Sequence, residues 1–101
     1  MRVIFTDEAK AEVRRRRAWW KRHRDEKYLF TQELRRAQRE LRRAPKLAVH
    51  GRYEGHDVRR LSLARVHCFV YYVVLEAERR VEIVSVWGQE RGSQPDFVEE
   101  E

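Results

Sequence analysis

The sequence predicts an α+β fold with two layers, in which a helical hairpin covers one face of a mostly antiparallel sheet. Two observations support this. Between Thr6 and Ala44 the chain has no Gly or Pro, and its apolar residues recur at helical spacing. After Pro45 the pattern changes to alternating or continuously apolar segments separated by turn residues. The expected order is β-α-α-β-β-β, with the sheet built mainly from the second half of the chain.

The N-terminal segment RVIF is short and apolar and predicts the first strand. Thr6 follows it and suits the cap of a helix, whose buried face is predicted to hold Ala9, Val13 and Trp20. The polar segment KRHRDEK comes next and predicts a turn. Asp25 within it is expected to cap the second helix.

The second helix is predicted from one regular apolar stripe. Its members recur at spacings of four, three, four and three residues: Phe30, Leu34, Ala37, Leu41 and Ala44. Pro45 ends this helix, because the residue before a proline is disfavoured in the helical conformation.

Three strands are predicted from the segments DVRRLSL, VHCFVYYVVL and RRVEIVSVW. The segment EAERR is the predicted hairpin loop between the last two. The segment KLAVHGRYEGH suggests a further short strand. The second of these segments is apolar on both faces and predicts the central strand. Depending on the strand order, the initial strand or DVRRLSL is expected to offer a free edge for strand addition. We expect a single domain over residues 1–95, followed by an acidic, disordered tail over residues 96–101.

Charge favours a polyanionic or acidic partner. The 101 residues carry a formal net charge of +6. Residues 1–44 hold 15 Lys and Arg against 7 Asp and Glu, a net of +8, and residues 45–101 hold 8 against 10, a net of −2. Such a surface suits nucleic acid or an acidic protein segment.

Several classes of protein are disfavoured. The single cysteine, Cys68, excludes an internal disulfide and fits a reducing cytoplasm. The one long apolar run is too short for a membrane helix, and the acidic N-terminus differs from a signal peptide. His50 and His56 match no standard metal spacing, and no cofactor motif is present, so neither a metal nor a cofactor is expected.

Three segments of the sequence and the Trp-Trp of the first helix together match the pattern of a known family. These segments are a Val-Arg-Arg-Leu strand, a His-x-x-x-Tyr-Tyr strand, and a strand that ends in Val-Trp-Gly-x-x-Arg-Gly-x-x-Pro. The matching positions are Val58, Arg59, Arg60, Leu61, His67, Tyr71, Tyr72, Val86, Trp87, Gly88, Arg91, Gly92 and Pro95. Through these positions the sequence resembles the RelE/ParE superfamily of bacterial toxins from Val3 to Pro95.

The resemblance implies the toxin of a type II toxin–antitoxin system, held in a hetero-oligomer by a cognate antitoxin, as in plasmid stabilisation modules. The superfamily contains two classes of mechanism. RelE-like members cut messenger RNA on the ribosome without metal, whereas ParE-like members bind and inhibit DNA gyrase.

The ribonuclease alternative has a defined set of candidate residues. Metal-free cleavage needs proton-transfer groups and fixed cations around the phosphate. His67, Tyr71 and Tyr72 are the candidates for proton transfer. The candidate cations are Arg59 or Arg60, with Arg65 and Arg91. RelE-like nucleases usually carry Lys or Arg where this chain has Cys68, and a Tyr or His near the C-terminus where it has Phe97. These two differences favour a ParE-like toxin that is not a nuclease.

Binding to a target or antitoxin is expected to use cationic and aromatic residues of both halves. They are Arg14, Arg15, Arg16, Arg17, Arg59, Arg60, Arg65, Trp87 and Arg91. On alternating strand positions Arg59 and Arg60 must point to opposite faces. A third hypothesis is a plain nucleic-acid-binding module. It ranks lower because the aromatic residues of the first half are expected in the core rather than on the surface.

Overall fold

A computed structural model describes residues 1–46 and 49–89 of the chain. Five strands and two helices follow one another in the order β1 (Arg2–Phe5), α1 (Asp7–His23), α2 (Leu29–Arg43), β2 (Val49–Tyr53), β3 (His56–Leu63), β4 (Cys68–Leu75) and β5 (Arg80–Gly88). The predicted β-α-α-β-β-β order is therefore confirmed, with the additional short strand β2 before β3. The predicted tail over residues 96–101 lies outside the described residues.

The five strands form one sheet in the order β1-β5-β4-β3-β2. The strands β1 and β5 are parallel, and the other neighbours are antiparallel. β4 lies in the middle, as its continuous apolar sequence predicts. Of the two segments expected to offer a free edge, DVRRLSL does not, because β2 pairs with β3 and takes the edge position. The two edge strands are β1 and β2.

The helical hairpin is held by side chains of α1. The Thr6 hydroxyl accepts a hydrogen bond from the amide of Ala9 at 3.2 Å, as a helix cap should. At the other end, the Trp20 indole donates to the carbonyl oxygen of Glu26 at 2.7 Å. Arg17 joins the two helices by donating from Nε to the Thr31 hydroxyl at 3.2 Å. The turn between the helices is therefore tied to both of them.

Two predictions for α2 need correction. Asp25 does not cap the helix: the N-cap position is Tyr28, which makes no side-chain capping bond, and the amide of Leu29 donates to Glu26 O instead. Ala44 does not belong to the buried stripe, because the helix ends at Arg43 and Ala44 is exposed beyond it. The other predicted stripe residues are buried.

The sheet carries a separate apolar cluster on each face. The main core lies between the sheet and the helices, and β4 contributes Cys68, Val70 and Tyr72 to it. Neighbouring β4 residues alternate to the opposite face, as strand geometry requires. That face holds a second cluster, the outer-face cluster, formed by Val58, Tyr71, Val73 and Val84 with Phe69, Leu75 and Trp87 packed against them.

A β-bulge interrupts β5 where β1 ends. Tyr72 pairs with Ile83 and Tyr71 pairs with Ser85, so Val84 is the extra residue. The register of β1 stops at Phe5 opposite Ile83. Beyond this point α1 supplies the missing partner, because the Glu12 carboxylate accepts from Val86 N at 2.9 Å and from the Ser85 hydroxyl at 3.0 Å.

Tight turns join the antiparallel strands. His67 has φ 53° and closes a single 3₁₀ turn between β3 and β4, and Arg79 closes a similar turn before β5 with φ 51°. The prediction that His67 lies on a strand is therefore wrong. Between β2 and β3, Glu54 and Gly55 both have positive φ, as in the type I′ turns that match strand twist.

Candidate functional site

A cationic groove lies between β1, α1 and α2, with a volume of about 330 Å³. Its apolar base comes from one side chain of each element, namely Phe5, Val13 and Leu34. Its polar rim consists of Lys10, Arg14, Arg17 and Gln38. The groove therefore combines an apolar floor with positive charge along one side, which suits an acidic segment that also has an apolar face.

Helical spacing explains why these cations line one side. Lys10, Arg14 and Arg17 are separated by four and three residues, so they lie on one flank of α1. Arg16 falls on the opposite flank, where its guanidinium lies 4.9 Å from the centroid of the Trp19 ring. Arg15 is exposed. The run of four arginines thus serves two surfaces, of which only one is the groove.

No described carboxylate neutralises the positive charge of the groove. In the described part of the chain, Lys10, Arg14 and Arg17 form no ion pair. Glu12 is engaged with β5. An acidic partner would therefore meet cations that have no competing carboxylate among the described residues.

A buried carboxylate on α2 organises a separate group of arginines. Glu33 is 4% exposed, and its Oε1 accepts from Arg36 at 2.9 Å, while Oε2 accepts a long bond from Arg65 at 3.4 Å. The hydrogen bond to Glu33 is the main cause that raises the pKa of Arg36, and the Glu33 and Glu40 charges add to it. Arg65 is thus tied to α2 rather than to the groove.

The outer-face cluster supplies a second candidate surface. The guanidinium of Arg60 lies 4.2 Å from the centroid of the Phe69 ring, in cation–π geometry. Trp87 is directly opposite Phe69 in the β4–β5 register. The rings of Tyr71 and His50 are 5.4 Å apart at an angle of 53°. Arg60 and Trp87 are therefore brought together around Phe69 on a face that the helices do not cover.

Arg59 belongs to a different environment. It pairs with Tyr72 in the β3–β4 register, on the helix side of the sheet, whereas Arg60 pairs with Tyr71 on the outer side. A polar cavity of about 230 Å³ beside Arg59 is also lined by Lys46, Asp57 and Glu76. The expected separation of Arg59 and Arg60 onto opposite faces is thus what the register gives.

Among the described residues, the ribonuclease candidates are divided between the two faces of the sheet and one turn. Tyr72 is fully buried on the helix side, and its hydroxyl donates to the carbonyl oxygen of Pro45 at 2.7 Å. Arg60 is on the opposite face, where it pairs with the fully buried Tyr71, and His67 is exposed in the turn that precedes β4. Arg91, like Phe97, lies outside the described residues. Cys68 is buried and donates to Val66 O at 3.3 Å.

The groove was missed in the sequence because its parts come from three elements. Phe5, Leu34 and Gln38 are distant in sequence from the arginines, and no periodicity within one segment indicates that they meet. The position of Lys10 beside Arg14 and Arg17 could have been predicted from the sequence, since the three residues have helical spacing.

Residues 1–46 and 49–89 contain neither a candidate metal-binding cluster nor a candidate membrane-spanning helix. No cluster of at least three His, Cys, Asp or Glu side chains in these ranges is arranged to hold a metal ion. No helix within them is both long enough and apolar enough to span a bilayer.

Comparison with known proteins identifies the fold. No protein-family model and no curated protein matches the sequence. Among solved structures, a chain of the chromosomal ParDE TA system from P. aeruginosa superimposes with a TM-score of 0.68 at 18% sequence identity. The match covers 87% of this chain and 95% of that chain. This chain therefore shares its fold with a chain of a ParDE TA system, and the α+β fold that the sequence predicts is confirmed.

Proposed function

We propose that this protein is the toxin of a type II toxin–antitoxin pair, of the ParE type, and that it acts in the bacterial cytoplasm. The cationic groove is the observation that carries the proposal. A ParE-like fold with an apolar groove rimmed by Lys10, Arg14 and Arg17 is suited to an antitoxin segment of opposite charge.

The proposed antitoxin segment is an amphipathic helix or strand that folds on binding. Its apolar side would cover Phe5, Val13 and Leu34, and its acidic side chains would meet the cations of α1. The exposed edge of β1 borders the same groove and offers backbone groups for strand addition. Toxin and antitoxin would thus form a hetero-oligomer.

DNA gyrase is the proposed target. Support for a mechanism without catalysis comes from the burial of the tyrosine candidates. Tyr72 lies on the face opposite to Arg60, and Tyr71, which shares the face of Arg60, is fully buried. Cleavage of a phosphodiester held by Arg60 needs a proton donor at the leaving oxygen, and a fully buried tyrosine is not accessible to it. Binding alone is sufficient for inhibition of an enzyme.

A ribosome-dependent mRNA interferase is the second candidate. The observation that favours it is Arg60, which lies over Phe69 on the face of the sheet away from the helices and retains donors for a phosphate. A plain nucleic-acid-binding module is the third candidate, on the basis of the charge of α1.

Inducible expression in bacteria separates these candidates. Protein synthesis, message integrity and the DNA damage response would be followed in the same culture during the first minutes. We expect the damage response to be induced while translation continues. Early collapse of translation with cut messages would refute the gyrase proposal, and loss of that effect in Arg60→Ala would then assign the cleavage site to the outer face.

Charge reversal in the groove tests the antitoxin proposal. We expect Lys10→Glu/Arg14→Glu to weaken antitoxin binding about 30-fold, because two exposed ion pairs are lost and two repulsions replace them, at about 0.5 kcal/mol for each of the four changes. The matched control is Arg35→Glu/Arg39→Glu, since both arginines are exposed on α2 and neither lines the groove. Calorimetric titration would measure both affinities. Equal losses in the two variants would contradict the assignment of the groove.

A further inference from the structure

The tip of the helical hairpin is a second cationic surface, distinct from the groove. We define the hairpin tip as residues 19–28. From residue 21 to residue 28 every side chain is exposed. These eight residues contain four cations, Lys21, Arg22, Arg24 and Lys27, against two carboxylates, Asp25 and Glu26.

Aromatic rings hold two of these cations in place. The Arg24 guanidinium lies 4.9 Å from the centroid of Trp19 and 5.6 Å from that of Trp20. The Lys21 ammonium lies 5.6 Å from the centroid of Tyr28. These contacts use the faces of the rings and leave N–H donors for another ligand. Because the side chains are already oriented, binding a phosphate would cost less conformational entropy.

Tyr28 is an aromatic residue with no place in the core. Its side chain is 63% exposed, so the expectation that all aromatic residues of the first half lie in the core is wrong. An exposed ring beside ordered cations is the arrangement with which proteins stack bases of single-stranded nucleic acid.

The turn that presents these groups is fixed by hydrogen bonds. The Trp20 indole donates to Glu26 O at 2.7 Å, and the amide of Lys27 donates to Asp25 O at 2.9 Å. Within the part of the chain that the structure describes, Lys21, Arg22, Arg24 and Lys27 form no ion pair with a carboxylate. The tip is therefore a preorganised cationic site that needs no carboxylate to be displaced.

We infer that the hairpin tip binds single-stranded DNA, with phosphates on Lys21, Arg22 and Arg24 and a base stacked on Tyr28. The surface offers cations and ring faces, which recognise features that every DNA strand carries. This inference does not depend on the identity of the toxin's target or antitoxin, because it concerns direct binding by the purified chain.

Fluorescence anisotropy with a labelled oligothymidylate of about 20 nucleotides tests the inference. With three or four phosphate contacts, we expect the logarithm of the association constant to fall with the logarithm of salt concentration with a slope of about −2 to −3. Tyr28→Ala should weaken binding about five- to tenfold at constant salt, with little change in slope. Lys21→Gln/Arg24→Gln should make the slope shallower by about 1 to 1.5.

The control variant is Arg35→Gln/Arg39→Gln, which removes the same charge from exposed positions of α2 away from the tip. Equal effects of the two double variants would overturn the inference in favour of diffuse attraction. Unchanged affinity in Tyr28→Ala would overturn the stacking role. Tighter binding of an RNA of the same sequence, or of vesicles containing phosphatidylglycerol, would overturn the assignment of DNA as the ligand. Circular dichroism of each variant would establish that it is folded.

Discussion

Replacing Glu12 by Ala removes the carboxylate that links α1 to the last strand of the sheet. Its Oε1 accepts from Val86 N at 2.9 Å and from the Ser85 hydroxyl at 3.0 Å. Ser85 and Val86 are both buried. β1 has already ended at this level, so the Val86 amide depends on Glu12 for its acceptor.

The expected loss follows from these two bonds. A buried amide left without an acceptor costs about 1 to 3 kcal/mol, and the lost hydroxyl bond adds about 1 kcal/mol. We therefore expect Glu12→Ala to lower the free energy of unfolding by about 2 to 4 kcal/mol. Glu12→Gln keeps an oxygen that can accept both bonds but lacks the charge, so a smaller loss of about 1 kcal/mol is expected.

Urea denaturation followed by circular dichroism measures these differences, provided that the slope of the unfolding free energy against urea is the same for all variants. Ser85→Ala completes a double-mutant cycle with Glu12→Ala, and we expect a coupling energy of about 1 kcal/mol. The reasoning would be refuted if Glu12→Ala cost less than Glu12→Gln, or if the cycle gave no coupling.

Three further substitutions have defined outcomes. Trp20→Phe should lower the free energy of unfolding by about 1 kcal/mol or more, because the hydrogen bond to Glu26 O is lost. Thermal denaturation would detect this loss. No change would show that the hydrogen bond does not stabilise the turn. Tyr72→Phe should lower the free energy of unfolding by about 1 kcal/mol, because the hydrogen bond to Pro45 O is lost. The proposed growth inhibition should stay intact. Loss of inhibition in a folded variant would instead support a catalytic role. Gly55→Ala should lower the free energy of unfolding by about 1 kcal/mol, because φ is 81° at this position. An added Cβ meets nothing within 4 Å, so no steric clash contributes. An unchanged urea midpoint would contradict this prediction.

The layer structure was predictable because each element has its own local pattern. The buried stripe of α2 and the continuous apolar run of β4 are visible in single segments, and burial on one face or on both produces these patterns. The register was not predictable in the same way. The bulge at Val84 and the 3₁₀ turn that ends at His67 depend on neighbouring strands, so sequence alternation alone placed His67 on β4.

The candidate surfaces depend on contacts between elements, which explains why the sequence revealed them only partly. Opposite faces for Arg59 and Arg60 follow from strand alternation, and the structure has this arrangement. The groove joins Phe5 and Leu34 to α1, and no local rule connects these positions. Exposure of Tyr28 follows from a turn whose hydrogen bonds replace the expected Asp25 cap.

Pairing of β1 with β5 has a consequence for synthesis of the chain. Arg2 lies opposite Arg80, so the first strand of the sheet gains its partner only after nearly all of the described residues have been made. The apolar faces of α1 and α2 are likewise buried only after β4 and β5 have been made. Helices of 17 and 15 residues are only marginally stable alone. At about 5 to 20 residues per second, the 45 residues from Ala44 to Gly88 take about 2 to 9 s to synthesise. We therefore expect the hairpin to leave the ribosome as an unfolded cationic segment, and the groove to form only after β5 has been made and has paired with β1.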